Sequence, residues 1–315
     1  MPLTATGAIA LSLVLDLAFG EPRDARHPVA WFGRLVARVD REWAHPRLMG
    51  AIAALALPLA AALVVGVAVL VAASFSPIAG VALAGLALFV TTSRRSLLET
   101  ARRVIGLTED DLPAARDALL ALAGRDASDL SAGQVRSAAA ESAAENLADG
   151  LVAPLGAFAV VAAAADVAGP APIAGRSELA LSLAAAAAAW VKAVNTLDSM
   201  LGYHHKAVGG PSARLDDLVM WLPARASAPL LAVAALAPVA IGRARRWAHA
   251  PPSPNSGWPM ATLAVAIDAR LQKPGVYDLH AEASLPSIEQ ADRGVRIVGV
   301  AGAIAYAVAG VIAWF

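Results

Sequence analysis

The stretch Gly50 to Ala73 has no charged or hydrogen-bonding side chain, and it exceeds the roughly 20 helical residues that a bilayer core requires. Such a run constrains the fold severely, because hydrocarbon tolerates only backbones that satisfy their own polar groups, which means helices or closed barrels. Similar runs recur. Gly150 to Gly169 and Val295 to Phe315 are as clear, while Leu3 to Phe19, Pro77 to Thr92 and Glu178 to Val194 are weaker. Ser227 to Gly242, with Pro229 and Pro238, reads as a re-entrant or additional span. The expected fold class is therefore all-α: a polytopic helical membrane protein forming a single membrane-embedded domain over 1–315. Its expected spans are 3–19, 50–73, 77–92, 150–169, 178–194 and 295–315, separated by polar segments 20–49, 93–149, 195–226 and 243–294. Thr4, Thr6 and Asp16 make the first run too polar for a signal-peptide core, and no Lys or Arg precedes it, so it is read as retained.

Composition agrees: 58% of the 315 residues are hydrophobic, 16% are charged, and mean hydropathy is +0.61. With 25 basic and 25 acidic residues the formal charge is zero, so neither a nucleic-acid partner nor a basic membrane-surface tail is expected. The absence of cysteine excludes disulfides, thiolate metal sites and cysteine nucleophiles. The six histidines form no HExxH pair, and no Walker A, GxGxxG or GxSxG pattern is present.

Arginines set an expected topology, since short loops rich in Lys and Arg stay cytoplasmic. Arg23, Arg26, Arg34, Arg38, Arg41 and Arg47 fill the first polar segment, and Arg94, Arg95, Arg102 and Arg103 open the second. The short connections Ser74 to Ser76 and Pro170 to Ser177 hold only Arg176. Six spans then put both chain ends outside and the polar segments on a cytoplasmic helical face of a cell-membrane protein. Within segment 93–149, Leu97, Leu98, Ala101, Val104 and Ile105 follow helical spacing, as do Leu112, Ala115, Leu119 and Leu122, with Thr108, Asp110 or Asp111 as caps. A helical hairpin is expected there.

Charge is scarce in this chain and gathers in a few places. Glu141, Glu145 and Asp149 step by four residues, which sets them about 6 Å apart along one helical face. Asn146 lies beside them and Arg136 about a turn before. Spacing alone leaves two readings open: a solvated face, or a row neutralised by a hard cation such as Mg²⁺ with phosphate oxygens. A second group is Lys192, Asn195 and Asp198 at a span end, followed by His204, His205, Lys206, Arg214, Asp216 and Asp217, where ionisable residues are functional by default. Snorkelling lysine and a structural Arg–Asp pair are the plain alternatives. The stretch Pro251 to Pro259 is a turn cluster in which Ser253, Asn255 and Ser256 could frame an anion-binding nest, although a proline-rich turn needs no ligand. Asp16, inside an apolar run, is expected either to cap or to pair with an arginine of its own loop.

In order along the chain, these stretches resemble the CobD/CbiB family, the integral-membrane adenosylcobinamide-phosphate synthases of cobalamin biosynthesis. The resemblance rests on Asp16 through Pro28, Gly124-Arg125-Asp126, Glu141-x-x-x-Glu145-Asn146-x-x-Asp149 and Ala153-Pro154-Leu155. It continues through Asn195-Thr196-Leu197-Asp198-Ser199-Met200-x-Gly202-Tyr203, Ala213-Arg214-Leu215-Asp216-Asp217, Pro223-Ala224-Arg225 and Ser253-Pro254-Asn255-x-Gly257-Trp258-Pro259. It implies an ATP-dependent carbon–nitrogen ligase that joins the free propionate of adenosylcobyric acid to (R)-1-aminopropan-2-ol O-phosphate, aminopropanol or ethanolamine phosphate. Mg²⁺ and ATP are the implied cofactors.

Motif and spacing together give the expected roles. Glu141, Glu145, Asp149 and Asp198 ligate Mg²⁺, and one of them deprotonates the amine. Lys192, Arg125, Arg214 and Arg225 engage phosphates or the corrinoid carboxylate. Asn146, Asn195 and Asn255 orient these groups, and Asp216, Asp217 and Ser253 complete the substrate-binding set. The rival from another class is an AmpE-like membrane regulator without catalysis. A prenyltransferase would need a second aspartate-rich motif, and a transporter would place its polar groups at mid-span. The oligomeric state is left open.

Overall fold

A computed structural model describes residues 2–20, 27–124, 126–167, 176–202 and 206–315. The chain is an all-α polytopic membrane protein. Among the described residues, five helices are long and apolar enough to cross a membrane, or up to six if the bent pair Ala207–Val219 and Trp221–Ala234 counts as one span. The helices group into two compact units, each discontinuous in sequence: unit 1 is Met1–Ser93, Ala153–Met220 and Tyr306–Phe315, and unit 2 is Arg94–Val152 and Trp221–Ala305.

Unit 1 contains α1 (Pro2–Phe19), α2 (Pro28–Val36), α3 (Pro46–Phe75) and α4 (Pro77–Thr91). Prolines at the first helical positions start α2, α3 and α4, where a missing amide hydrogen costs nothing and the fixed φ suits the helix. Unit 2 opens with α5 (Arg95–Asp110), α6 (Leu112–Ala123) and α7 (Ala132–Leu147), followed by a π-helical turn at Ala148–Val152. Unit 1 resumes with α8 (Ala153–Val167), α9 (Arg176–Leu201) and α10 (Gly210–Val219). The rest of unit 2 is α11 (Trp221–Ala234), α12 (Val239–Ala244), α13 (Gly257–Ile267), the strands β1 (Leu271–Lys273) and β2 (Tyr277–Leu279), and most of α14 (Ile288–Ile312).

Unit 1 is held by small residues. A Cβ at Gly66 of α3 would lie 3.2 Å from Ala186 Cβ of α9, and Ser182 Oγ donates to Gly66 O at 2.8 Å. A Cβ at Gly85 of α4 would lie 2.8 Å from Leu11 of α1. Backbones that approach this closely gain dispersion contacts in a medium where burying a leucine gains little. Tyr306 joins the unit from far along the chain, its hydroxyl lying 3.2 Å from Thr92 Oγ1 and 3.5 Å from Ser12 Oγ.

Unit 2 follows the rules of a water-soluble domain in its first helices. α5 buries Leu97, Leu98, Ala101, Val104, Ile105 and Thr108, and α6 buries Ala115 and Leu119 against it, which is the expected hairpin. Asp111 caps α6 by accepting from Ala114 N at 3.0 Å, and Gly124 closes it at φ +60°. The stretch 227–242 is not one helix: α11 contains Pro229, the chain turns through Leu236 at φ +55°, and α12 begins at Val239. The antiparallel pair Leu271–Lys273 with Tyr277–Leu279, turning through Gly275 at φ +72°, is the one sheet among the described residues and was not expected.

Candidate functional site

In unit 2 the acidic row is divided by what packs on it. Ser131 starts α7 with a capping box to Gln134. Further along the helix Glu141 is buried, and both of its oxygens are occupied: Ser137 Oγ donates to Oε1 at 2.7 Å and Tyr277 OH donates to Oε2 at 2.8 Å. Ser137 Oγ also accepts from Gln272 N at 2.7 Å, so the hairpin is tied to α7 at two points. Tyr277, on β2, reaches within 3.9 Å of Met260 Sδ on α13. Glu145 and Asp149 lie half-buried further along. Arg136 holds Pro286 O at 2.8 Å and Thr108 Oγ1 at 3.1 Å, and Asn146 Nδ2 donates to Ser142 O at 2.9 Å.

The π turn at 148–152 has a local cause. Pro154 has no amide hydrogen for the carbonyl four residues before it, and a widened turn relieves the clash of its ring there. Asp149 therefore sits on an irregular turn, and the even i, i+4, i+8 spacing does not run past Leu147.

The Pro251 to Pro259 turn is closed on itself. Ser253 Oγ accepts from the amides of Asn255 at 3.2 Å and Ser256 at 3.5 Å, so two amides of the expected nest already have a partner. Arg225 of α11 donates from Nη1 to Asn255 Oδ1 at 2.9 Å and to Trp221 O at 2.8 Å, and from Nη2 to Pro254 O at 3.3 Å. Its guanidinium lies over Trp221 at 4.3 Å and over Trp258 at 5.5 Å, both within cation–π range. A Cβ at Gly257 would collide with Ala248 O, so only glycine fits. Arg225, expected to engage phosphates or the corrinoid carboxylate, thus gives hydrogen bonds to the loop and to its own helix.

In unit 1, Lys192, Asn195 and Asp198 project from the last turns of α9. Thr196 Oγ1 donates to Lys192 O and Ser199 Oγ to Asn195 O, both at 2.8 Å. Asp198 Oδ1 is buried with no hydrogen-bond donor among the described residues. Gly202 presses on it: a Cβ there would collide with Asp198 Oδ1. α10 packs on α9 and α3, presenting Arg214 exposed and Asp216 and Asp217 half-buried, with Asp217 within electrostatic range of Asp198. An orphaned buried carboxylate oxygen near a second carboxylate suits a divalent cation whose remaining ligands are water and phosphate.

No group of three or more His, Asp or Glu side chains among the described residues converges closely enough to hold a metal ion. Of the four expected carboxylates, Glu141, Glu145 and Asp149 belong to unit 2 and Asp198 to unit 1. Within unit 2, Ser137 and Tyr277 occupy both oxygens of Glu141. Arg125, His204 and His205, and the loop arginines Arg23 and Arg26 expected near Asp16, lie outside the described residues. Ser137 and Tyr277 were missed, because nothing in the spacing of α7 signals a hairpin packed across Glu141.

A family model described as CobD/Cbib protein matches residues 9–307. The chain is 34% identical over 310 residues to a probable cobalamin biosynthesis protein CobD from Methanothrix thermoacetophila, covering 94% of this chain and 92% of that one. It is 33% identical over 326 residues to the cobalamin biosynthesis protein CobD of Klebsiella pneumoniae, covering 93% of each. It is 36% identical over 291 residues to that of Geobacter metallireducens, covering 87% and 84%. No solved structure matches. With a family model matched from residue 9 to residue 307 and relatives aligned over most of their length, the chain belongs to the CobD/CbiB family.

Proposed function

We propose that this protein catalyses the amide-forming step of cobalamin biosynthesis that joins the free propionate of adenosylcobyric acid to (R)-1-aminopropan-2-ol O-phosphate, giving adenosylcobinamide phosphate. Aminopropanol and ethanolamine phosphate are the alternative acceptors. The observation that carries this reading is the family match over residues 9–307, which takes in every polar stretch discussed above.

A carboxylate is a poor electrophile, so the propionate needs activation by transfer of the terminal phosphoryl group of ATP. The amine lone pair then forms the C–N bond as the C–O bond to phosphate breaks, releasing ADP and phosphate, and the amine proton passes to a carboxylate. Asp198, with Asp217, is assigned to Mg²⁺, which when bound neutralises phosphate charge. Lys192, Arg125 and Arg214 hold the anionic groups, with Asn195 and Asp216 orienting them. Glu141 and Arg225 act as positioning residues, the first for the hairpin and the second for the Ser253–Asn255 loop.

The test is turnover by the purified full chain with adenosylcobyric acid and each amine, with and without ATP. Product in the presence of ATP alone is expected. No product from folded protein overturns the synthase reading, and ATP-independent product overturns the ligase chemistry. Asp198→Asn is expected to lower kcat by about 10²-fold or more, the usual cost of losing one electrostatic stabiliser. The arginine distribution supports a cytoplasmic active face. Ala250→Cys, in a chain with no native cysteine, is then expected to resist an impermeant thiol reagent added outside intact cells.

A further inference from the structure

The first polar segment contains a surface to which the roles assigned above give no part. One side of α2 is core: Phe32, Val36 and Val39 pack with Ala54 of α3 and with Leu197 and Leu201 of α9. The other side mixes two residue types that rarely share a solvated face. Trp31 and Leu35 are 51% and 40% exposed, and Arg34 and Arg38 are exposed among them. Backbone bonds from Ala37 N to Gly33 O, Arg38 N to Leu35 O and Val39 N to Val36 O extend the helical sense past Val36, which keeps these four residues on one side. Arg41 continues the basic stripe, its guanidinium 4.0 Å above the Trp43 ring, and Trp43 Nε1 donates to Val39 O at 2.9 Å.

Among the described residues these arginines have no counter-ion. None of Arg34, Arg38 and Arg41 takes part in an ion pair there, and Asp40 is engaged by Lys206 at 2.6 Å. The exposed acid Glu42 pairs with none of them. α3 begins at Pro46, and Leu48 and Ile52, exposed on its surface, are the start of its lipid-facing side. Arginine and tryptophan on one face of a short amphipathic helix beside a span suit the headgroup layer, where indole and guanidinium both find partners.

We propose that the outward face of α2 and the turn after it bind the phosphate headgroups of anionic phospholipids. The complementarity is of charge: the three guanidiniums meet a net negative phosphodiester, and Trp31 and Leu35 enter the acyl boundary beneath it.

The test is native mass spectrometry of the detergent-purified full chain titrated with phosphatidylglycerol or phosphatidylcholine. Wild type is expected to retain phosphatidylglycerol preferentially. R34Q/R38Q/R41Q is expected to lose that preference by about a hundredfold, since each basic residue near an anionic surface contributes about fivefold. R102Q/R103Q, which removes exposed charge from α5, is expected to keep it. If the triple variant fails to fold, Arg34→Gln alone serves in its place, with an expected drop of about fivefold. Equal retention of both lipids by wild type, an undiminished preference in the α2 variants, or an equal loss in the α5 variant overturns the proposal.

Discussion

α3 and α5 bury opposite kinds of residue. α3 turns Gly50, Ala53, Ala54, Pro58, Gly66, Val69 and Ala73 inward and leaves Leu55, Leu59, Leu63 and Val67 exposed. α5 turns Leu97, Leu98, Val104 and Ile105 inward and leaves Glu99, Arg102 and Arg103 at its surface. Where water is the solvent, each buried Å² of apolar surface contributes about 25 cal/mol, so the large aliphatics go inside. Where lipid is the solvent that gain vanishes and close backbone approach decides, so the smallest residues go inside. Which size class a helix buries therefore reports the medium around it more directly than its overall apolarity does. The helical run Pro77–Asp110 makes the same point within itself, since every charged residue in it follows Ser93.

The contrast breaks most easily at buried positions of α5. Ile105→Asp places an unpaired charge at a fully buried site and is expected to cost more than about 4 kcal/mol, read as loss of folded protein or of its thermal midpoint. Leu59→Asp on the exposed side of α3 would be harmless in a water-soluble helix. Facing lipid, it is expected to cost about 3 kcal/mol, read as reduced membrane integration. Integration equal to wild type would show that this face of α3 meets water.

Tyr277→Phe removes one hydroxyl from the buried Glu141 carboxylate and is expected to cost about 1.5–3 kcal/mol, measured as a lower thermal midpoint. Glu141→Gln should show the same pattern, stability falling before kcat does, whereas a loss of kcat at unchanged stability would return Glu141 to the chemistry.

The smallest effect expected is that of acid on the loop after α6. Ser128 donates to Asp126 Oδ1 from its backbone at 3.0 Å, and hydrogen bonds from Ser128 hold this carboxyl below its ordinary value. A depressed folded value means the contribution is present above the unfolded value and lost as pH falls through the folded one. The protection of amides near Ser128, measured against their intrinsic exchange rates, is expected to fall on acidification, while that of Leu48 to Phe75, with no titratable side chain, stays unchanged.

Local chemistry accounts for what was legible along the chain. Uninterrupted apolar runs announce membrane helices, the Leu97–Ile105 and Leu112–Leu122 spacings announce a hairpin, and the polar stretches announce their family by order and identity. The illegible parts are contacts between segments far apart in the chain. Helical spacing put Glu141 and Glu145 on one face, but only packing shows that Ser137 and Tyr277 enclose the first. The family motif suggests that Arg225 engages phosphates or the corrinoid carboxylate, and only the folded loop shows its hydrogen bonds to Asn255 and Pro254. A hairpin of three-residue strands is too short for any periodicity to register.

The interleaving of the two units has a consequence for synthesis. The ribosome makes Arg94–Val152 before Ala153–Met220, so the first part of unit 2 emerges while unit 1 still lacks α9. Thr92 then waits through the 214 residues that separate it from Tyr306 before their hydroxyls can meet. Neither unit can complete its packing as an independent co-translational step. Partly inserted helices must be tolerated until Tyr306 has been made.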